Sequence, residues 1–344
     1  MVRIAVTKSA AALLFSLLAA SGEAAQSSGD ALPSWNAGAT KTAITQFVTR
    51  VTREDGPDFV PPAQRIAAFD NDGTLWVEQP FYFQLAFAFD RVRAMATQHP
   101  EWQTKQPFKG LLEFDMDAVA AVGENGLLEV IATTHAGMST EQFEAIVRDW
   151  ITEARHPRFA RRYAELVYQP MLELLGYLRA NGFKTYIVSG GGVEFMRPWT
   201  EAVYGIPPEH VIGSSGVTQF RLDAEGRPEL AKVGKVEFIN DGPGKPVGIN
   251  RFIGRRPILA FGNSDGDLQM LQWTAAGEGA RLAALVHHTD AAREFAYDRR
   301  SRVGKLDKAL DEAVARNWLI VDMKRDWRSV FPFERQPSTV GSSP

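Results

Sequence analysis

The 344-residue chain contains no cysteine. That excludes disulfides, thiolate metal sites, thiol nucleophiles and lipid attachment through an N-terminal Cys. Charge bias is also missing, since 38 Lys and Arg stand against 41 Asp and Glu, a formal charge of −3. A protein that grips nucleic acid by neutralising phosphates needs a basic surplus, so nucleic acid is not an expected partner. The sequence has no internal repeat, no long block of one charge sign, and no apolar run that reaches the ~20 residues needed to span a bilayer. With 45% hydrophobic and 23% charged residues, it is neither wholly disordered nor collagen-like. The length suffices for a large core, or for a core and a smaller domain.

At the N-terminus, Arg3 and Lys8 precede an apolar stretch over residues 10–20, and small residues follow at Gly22, Ala24 and Ala25. This is the pattern of a cleaved export signal, which predicts a secreted or periplasmic protein with no membrane contact after signal removal. An oxidising compartment permits disulfides without requiring them in a domain this large. Residues 26–40, rich in Ser, Gly and Ala, are expected to form a linker, and residues 336–344 a disordered tail.

Ile44, Phe47, Val48 and Val51 repeat at helical spacing and predict an amphipathic helix. Three apolar runs, over 65–69, 183–188 and 257–261, each end abruptly in a polar, glycine-containing loop. Helical patterns follow or precede them over 171–180 and 268–273. Strand, loop and helix in alternation predict a Rossmann-like three-layer α/β core with a parallel sheet, whose ligands bind off the carboxyl ends of the strands. Residues 217–235 read as a β-hairpin beside the sheet. A strand is expected over 281–287, a closing helix over 306–317 and another strand over 318–321.

Asp70 and Ser189 lie about 120 residues apart, whereas a strand–helix–strand step needs about 30. Roughly 75–90 residues must therefore form an insertion. Helical patterns over 80–96, 116–121, 127–134 and 140–155 predict an inserted α-helical cap. The expected organisation is a core of residues 41–75 and 165–335 with a cap of residues 76–164. Within the first cap helix, Phe81, Leu85 and Phe89 fall on one side, and Phe83 and Phe87 on another. A helix apolar on two sides sits between two layers.

The most informative segment is Phe69-Asp70-Asn71-Asp72-Gly73-Thr74. Two carboxylates two residues apart at a strand end can point into one pocket, one to attack and one to handle a proton. Like charges so close resist joint ionisation, so a cation belongs with them, and oxygen-only ligands suit Mg²⁺. Asp-x-Asp-Gly also opens ordinary turns and calcium loops. A calcium loop would carry a bidentate Glu at its twelfth position, which is Phe81. The other strand ends add complementary groups. Ser189 and the glycines from Gly190 onward offer a hydroxyl and backbone N–H groups at a helix start, a phosphate cradle. Lys245 offers a positive charge for a phosphoryl oxygen, with Lys232 and Lys235 as alternatives. Asn263, Asp265 and Asp267 offer further oxygens.

Asp-x-Asp-Gly-Thr, a Ser in a Gly-rich turn, a Lys, and then Gly-Asn-Ser-Asp-Gly-Asp, in that order over about residues 65–290, resemble the haloacid dehalogenase-like phosphatases, most closely the phosphoserine phosphatase-like branch with a helical cap. The resemblance implies that Asp70 is the nucleophile and forms an aspartyl-phosphate. It implies that Asp72 protonates the leaving alcohol and then activates water, and that Ser189, Gly190 and Lys245 hold the phosphoryl oxygens. Mg²⁺ would be held by Asp70, the backbone carbonyl of Asp72, and Asn263 and Asp267 of the fourth motif. Asn263 departs from the family, which usually has Asp there, so Asp267 or Asp265 is expected to take a larger share. An alkoxide leaves poorly unless protonated, so Asp72 fits a phosphate monoester. The expected activity is Mg²⁺-dependent hydrolysis of a small phosphorylated metabolite. A phosphotransferase or mutase of the same fold, and a catalytically weak phospho-ligand binding protein, stay open as alternatives.

Trp76 and Glu78 follow the first loop. They either line the substrate mouth, where an aromatic beside an acid suits an ammonium group, or pack the hinge and start the next helix. Residues 242–248 superficially match a dinucleotide loop, but prolines and the absence of a preceding strand argue against it. His287 and His288 read as a surface pair or strand cap, and His135 as a solvated cap residue.

Overall fold

Three short apolar runs with polar ends place three functional loops side by side. In a computed structural model describing residues 30–121, 129–130 and 133–335, they become strands β1 (Ile66–Phe69), β2 (Lys184–Gly192) and β5 (Leu259–Gly262). Between and beyond them lie β3 (Val211–Leu222), β4 (Pro228–Phe238), β6 (Leu282–Thr289), β7 (Ala296–Tyr297) and β8 (Leu319–Asp322). The sheet runs β4-β3-β2-β1-β5-β6-β7, and β8 also pairs with β6. Its centre is parallel: β1 lies between β2 and β5, with Phe69 opposite both Ile187 and Phe261. The β3–β4 and β6–β7 pairs are antiparallel. The hairpin expected beside the sheet is thus joined to it through β3, which pairs in parallel with β2.

Period-two alternation assigns successive strand residues to opposite faces. Ala67, Phe69, Ile187 and Phe261 pack with helices α1 (Ala39–Thr52), α6 (Gln169–Ala180) and α7 (Val193–Tyr204). Ala68, Val188, Ile212 and Ala260 pack with α8 (Gly244–Phe252), α9 (Leu268–Ala275) and α10 (Lys308–Ala315). This is the three-layer α/β core read from the sequence. Ile44, Phe47, Val48 and Val51 form the buried stripe of α1.

The segment between β1 and β2 supplies α2 (Phe83–Met95), α3 (Phe108–Glu113), α4 (Met116–Ala121) and α5 (Thr140–Glu153). Helix α5 begins with a reciprocal capping box between Ser139 and Gln142. Helix α2 is apolar on two sides, as expected. Phe83 and Phe87 join the main core, while Phe89 and Val92 pack with Trp102, Phe108 and Val130 in a separate cluster. Among the described residues no helix is long and apolar enough to cross a membrane.

One expectation needs correction. The described part of the expected linker is not loose: Leu32 and Trp35 are fully buried, and α1 already starts at Ala39. Trp35 Nε1 donates to the Pro170 carbonyl at 2.9 Å, and its ring meets Trp327 edge-on at 6.0 Å. Two large apolar side chains outweigh the surrounding small polar composition. Residues 1–29 and 336–344, with the expected signal and tail, and half of the expected 127–134 helix lie outside the described residues.

Candidate active site

The loop after β1 is shaped by its own backbone. The Asn71 carbonyl accepts the N–H groups of Thr74, Leu75 and Trp76, which folds the chain back on itself. Gly73 has φ +72°, and a Cβ there would run into Asn263 Nδ2 and Glu78 Oε1. Glycine is therefore required both for the turn and for the close approach of the fourth motif. Residues 75–77 then pair with 166–168, Val77 N–H to the Leu166 carbonyl at 3.1 Å and Tyr168 N–H to the Leu75 carbonyl at 2.9 Å.

Three segments distant in sequence meet at this loop. Lys245, on the first turn of α8, is 2% exposed and donates to Asp70 Oδ1 at 2.5 Å and to Asp267 Oδ1 at 2.6 Å. Asp267 Oδ2 accepts from the N–H groups of Asn263 (2.9 Å) and Ser264 (3.0 Å). Ser189 is buried near the end of β2 and lines the same cavity as Asp72. Its carbonyl is held by Asn240 Nδ2 at 2.9 Å. Trp76 Nε1 donates to Asp72 Oδ1 at 2.9 Å, and the Trp76 ring stacks on Trp199. Trp76 thus packs the hinge, and it also fixes the orientation of Asp72.

The electrostatics follow from burial. Burial raises Asp70 well above the ordinary carboxyl range, and neighbouring Asp267 and Asp72 add to this while Lys245 opposes it. Burial also pushes Asp72 up to about 6, against the Trp76 hydrogen bond and the Lys245 charge. Lys245 loses solvation too, but Asp267 and Asp70 outweigh that and hold it above its usual value. One buried ammonium therefore stands among the buried carboxyl groups Asp70, Asp267 and Glu78 and the partly buried Asp72.

Not every residue singled out in the sequence reaches this region. Asp265 turns away, and its Oδ1 accepts the N–H groups of Asp307 and Ala309 at 2.9 Å, capping the start of α10. It serves the helix and not the carboxylate site. Lys232 lies against Glu194 and above the Phe143 ring, not beside Asp70. The cradle after Ser189 is also less bare than expected. Ser189 Oγ takes the Gly191 N–H (3.0 Å) and Gln84 Oε1 takes the Gly192 N–H (2.7 Å), while Gly190 lines the cavity beside Asp70.

Three residues have roles that the sequence reading missed. Glu78 is 2% exposed and lies before α2 rather than starting it. Its Oε1 accepts from Asn263 Nδ2 at 2.7 Å and from the Tyr297 hydroxyl at 2.8 Å. His288 is buried, not a surface residue: Nε2 donates to the Gly73 carbonyl at 2.8 Å and Nδ1 meets Glu294 Oε2 at 3.0 Å. The strand alternation of β6, applied to His287-His288, places one of the two inside, and that signal was available. His135 is buried against Phe87 and Phe143 instead of solvated. Burial first, then Lys232 and Arg91, lower it to about 3, so it is neutral.

Among the described residues no group of three or more His, Cys, Asp or Glu side chains is arranged as a metal site. The donors on hand are all oxygens: the Asp70 carboxylate, the Asp72 backbone carbonyl, Asn263 Oδ1 and the Asp267 carboxylate. Asn263 Oδ1 accepts from the Thr74 hydroxyl at 3.0 Å. Hard oxygen donors in a region of excess negative charge fit Mg²⁺ chemically.

None of the curated proteins matches the sequence. Among solved structures, a protein of unknown function from Bordetella pertussis Tohama I is similar over 76% of this chain and 99% of its own, at 15% identity and a TM-score of 0.49. A functionally unknown protein from Anaerococcus prevotii is similar over 73% and 86%, at 17% identity and a TM-score of 0.47. A phosphoserine phosphohydrolase-like protein from Francisella tularensis is similar over 76% and 95%, at 15% identity and a TM-score of 0.39. Residues 67–272, which run from β1 through the fourth motif and carry every side chain that meets Lys245, match the family model of the haloacid dehalogenase-like hydrolases, and the chain belongs to that family.

Proposed function

We propose that the chain is a Mg²⁺-dependent phosphatase of small phosphate monoesters acting through an aspartyl-phosphate. The observation that carries this reading is the convergence of Asp70, Asp72, Ser189 and Lys245 from strand ends and a helix start. In this reading Lys245 and the Ser189 hydroxyl would hold phosphoryl oxygens beside Asp70. An Asp70 oxygen attacks phosphorus, the bond to the leaving oxygen breaks, and Asp72 gives its proton to that oxygen. A carboxyl lifted to about 6 can carry that proton near neutrality. Asp72 then takes a proton from water as the water attacks the aspartyl-phosphate, which releases phosphate and restores Asp70. Asp70, the Asp72 carbonyl and the fourth-motif oxygens would hold Mg²⁺, which supplies positive charge to the phosphoryl group and to the crowded carboxylates.

In this reading the segment over 76–164 is a cap that closes over the site. Residues 1–25 direct export, tested by fractionating cells and sequencing the mature N-terminus. The activity test is phosphate release from a panel of esters with Mg²⁺ or with EDTA, in wild type and Asp70→Asn. The expected result is turnover in wild type with Mg²⁺ alone, and ³²P retained on wild-type protein after acid quench. No Mg²⁺-dependent release from any ester would leave the binding-protein alternative. Transfer to an added alcohol in preference to water would favour a phosphotransferase.

A further inference from the structure

A single cavity of about 430 Å³ reaches from Asp70, Asp72, Ser189 and Lys245 into the space between α2, α5, α7 and the β3–β4 hairpin. That volume is far more than a phosphate group needs. Beyond the carboxylates its walls are carried by Leu85, Val130, Phe143, Phe195, Val236 and Ile239. Most polar side chains along this part are already engaged, the exception in the interior being His135 Nε2, which is buried without a partner. Lys232 and Glu194 form an ion pair with each other, and Lys232 also sits 4.6 Å from the Phe143 ring centroid. Gln84 Oε1 is bonded to the Gly192 N–H, and the His135 ring is neutral. Lys235 is exposed. At the mouth, Val236 and Ile239 stand 39% and 42% exposed, apolar surface that an occupant would cover.

We propose that the substrate's leaving group is an apolar alcohol, aryl-alkyl or branched alkyl, seated in this chamber; the inference rests on the phosphatase reading above. A sugar or an amino acid would bring several hydroxyl, ammonium or carboxylate groups out of water, and apart from His135 Nε2 and Lys235 at the mouth these walls leave most of them without partners. An apolar group loses nothing there and gains the burial of its surface.

The test compares kcat/KM for 2-phenylethyl phosphate and cyclohexylmethyl phosphate with glycerol 3-phosphate and O-phosphoserine. All four are esters of primary alcohols, so their intrinsic reactivities are similar and differences report the chamber. We expect the apolar esters to be favoured by at least about tenfold, mainly through KM. Ile239→Asn and Val236→Asn, at positions too exposed to be needed for folding, should each shrink that ratio by roughly threefold or more. Phosphoserine or glycerol phosphate used as well as the apolar esters, or a ratio unmoved in both variants, overturns the proposal while leaving the phosphatase reading intact. Should no ester be hydrolysed, the phosphatase reading fails and calorimetry decides the chamber's preference. Tighter binding of 2-phenylethyl phosphonate than of a glycerol phosphonate supports the apolar assignment, and equal or weaker binding overturns it.

Discussion

Asn263 Nδ2 donates to Glu78 Oε1 at 2.7 Å, and this buried pair occupies the point where the fourth motif touches the turn at Gly73. Burial, and then the nearby Asp72, Asp70 and Asp267, raise Glu78 well above the ordinary range, against the Tyr297 hydrogen bond. An amide at 263 therefore suits the carboxyl group already present at 78. The sequence departure at Asn263 and the buried Glu78 form one arrangement.

Asn263→Asp would set two acids face to face in a buried position. Without a divalent cation we expect a loss of about 1–3 kcal/mol, the usual cost of replacing a buried hydrogen bond by an unsatisfied contact. Adding Glu78→Gln to the same chain should restore most of it, because the amide introduced at 78 can donate to the carboxylate introduced at 263. Urea unfolding in EDTA across this double-mutant cycle measures the coupling. Additive effects of the two substitutions would mean that the pair is not coupled.

Lys245→Met leaves Asp70 and Asp267 buried without their shared cation. We expect a destabilisation of about 3–5 kcal/mol, as when one partner of a buried ion pair is removed. Phosphate should no longer compete with substrate in this variant. A stability within error of wild type would show that the two carboxyl groups are neutral without Lys245 and that its role is confined to the ligand.

The helices and strands of the core were legible because their apolar periods are regular, as in the α1 stripe and the β1, β2 and β5 runs. The loop after β1 was legible because Asp70, Asp72 and Gly73 fall within four consecutive residues. What stayed hidden depends on contacts across the fold. Asp265 and Asp267 look alike in the sequence, yet one caps α10 and the other meets Lys245. Which carboxylate turns inward depends on where residues 307–309 pass. Glu78 and His288 are separated by most of the chain, and their burial beside one glycine follows from packing, not from local pattern.

The pH dependence of stability should carry a signature of His135. A histidine lowered to about 3 stays neutral in the folded protein, while the unfolded chain takes up a proton below its ordinary value near 6.5. Between these values the unfolded state holds more protons, so stability falls as pH drops from 6.5 toward 3. At pH 5 the cost is about 2 kcal/mol relative to pH 7. Urea titrations of wild type and His135→Gln at both pH values isolate it: the variant should lose clearly less between pH 7 and pH 5. Equal losses would show that His135 gains a proton in the fold as readily as in the unfolded chain.

His288 holds the loop after β1 from behind. Its Nε2–H holds the Gly73 carbonyl, its Nδ1 meets Glu294, and its ring stacks on Tyr297 at 4.4 Å, the residue whose hydroxyl bonds Glu78. None of these atoms reaches Asp70 or Asp72, so His288 is a positioning residue. His288→Ala leaves the Gly73 carbonyl and Glu294 without this partner, at a cost of about 1–3 kcal/mol. A looser turn misplaces Asp72 relative to Asp70, and a shift of about 1 Å can cost of order a hundredfold in rate. We therefore expect kcat to fall by at least about tenfold with KM little changed, and His288→Gln, whose amide can still donate to the Gly73 carbonyl, to recover part of the loss. A rise in KM at unchanged kcat, or no recovery in the Gln variant despite a restored melting temperature, would argue against alignment of the loop as its role.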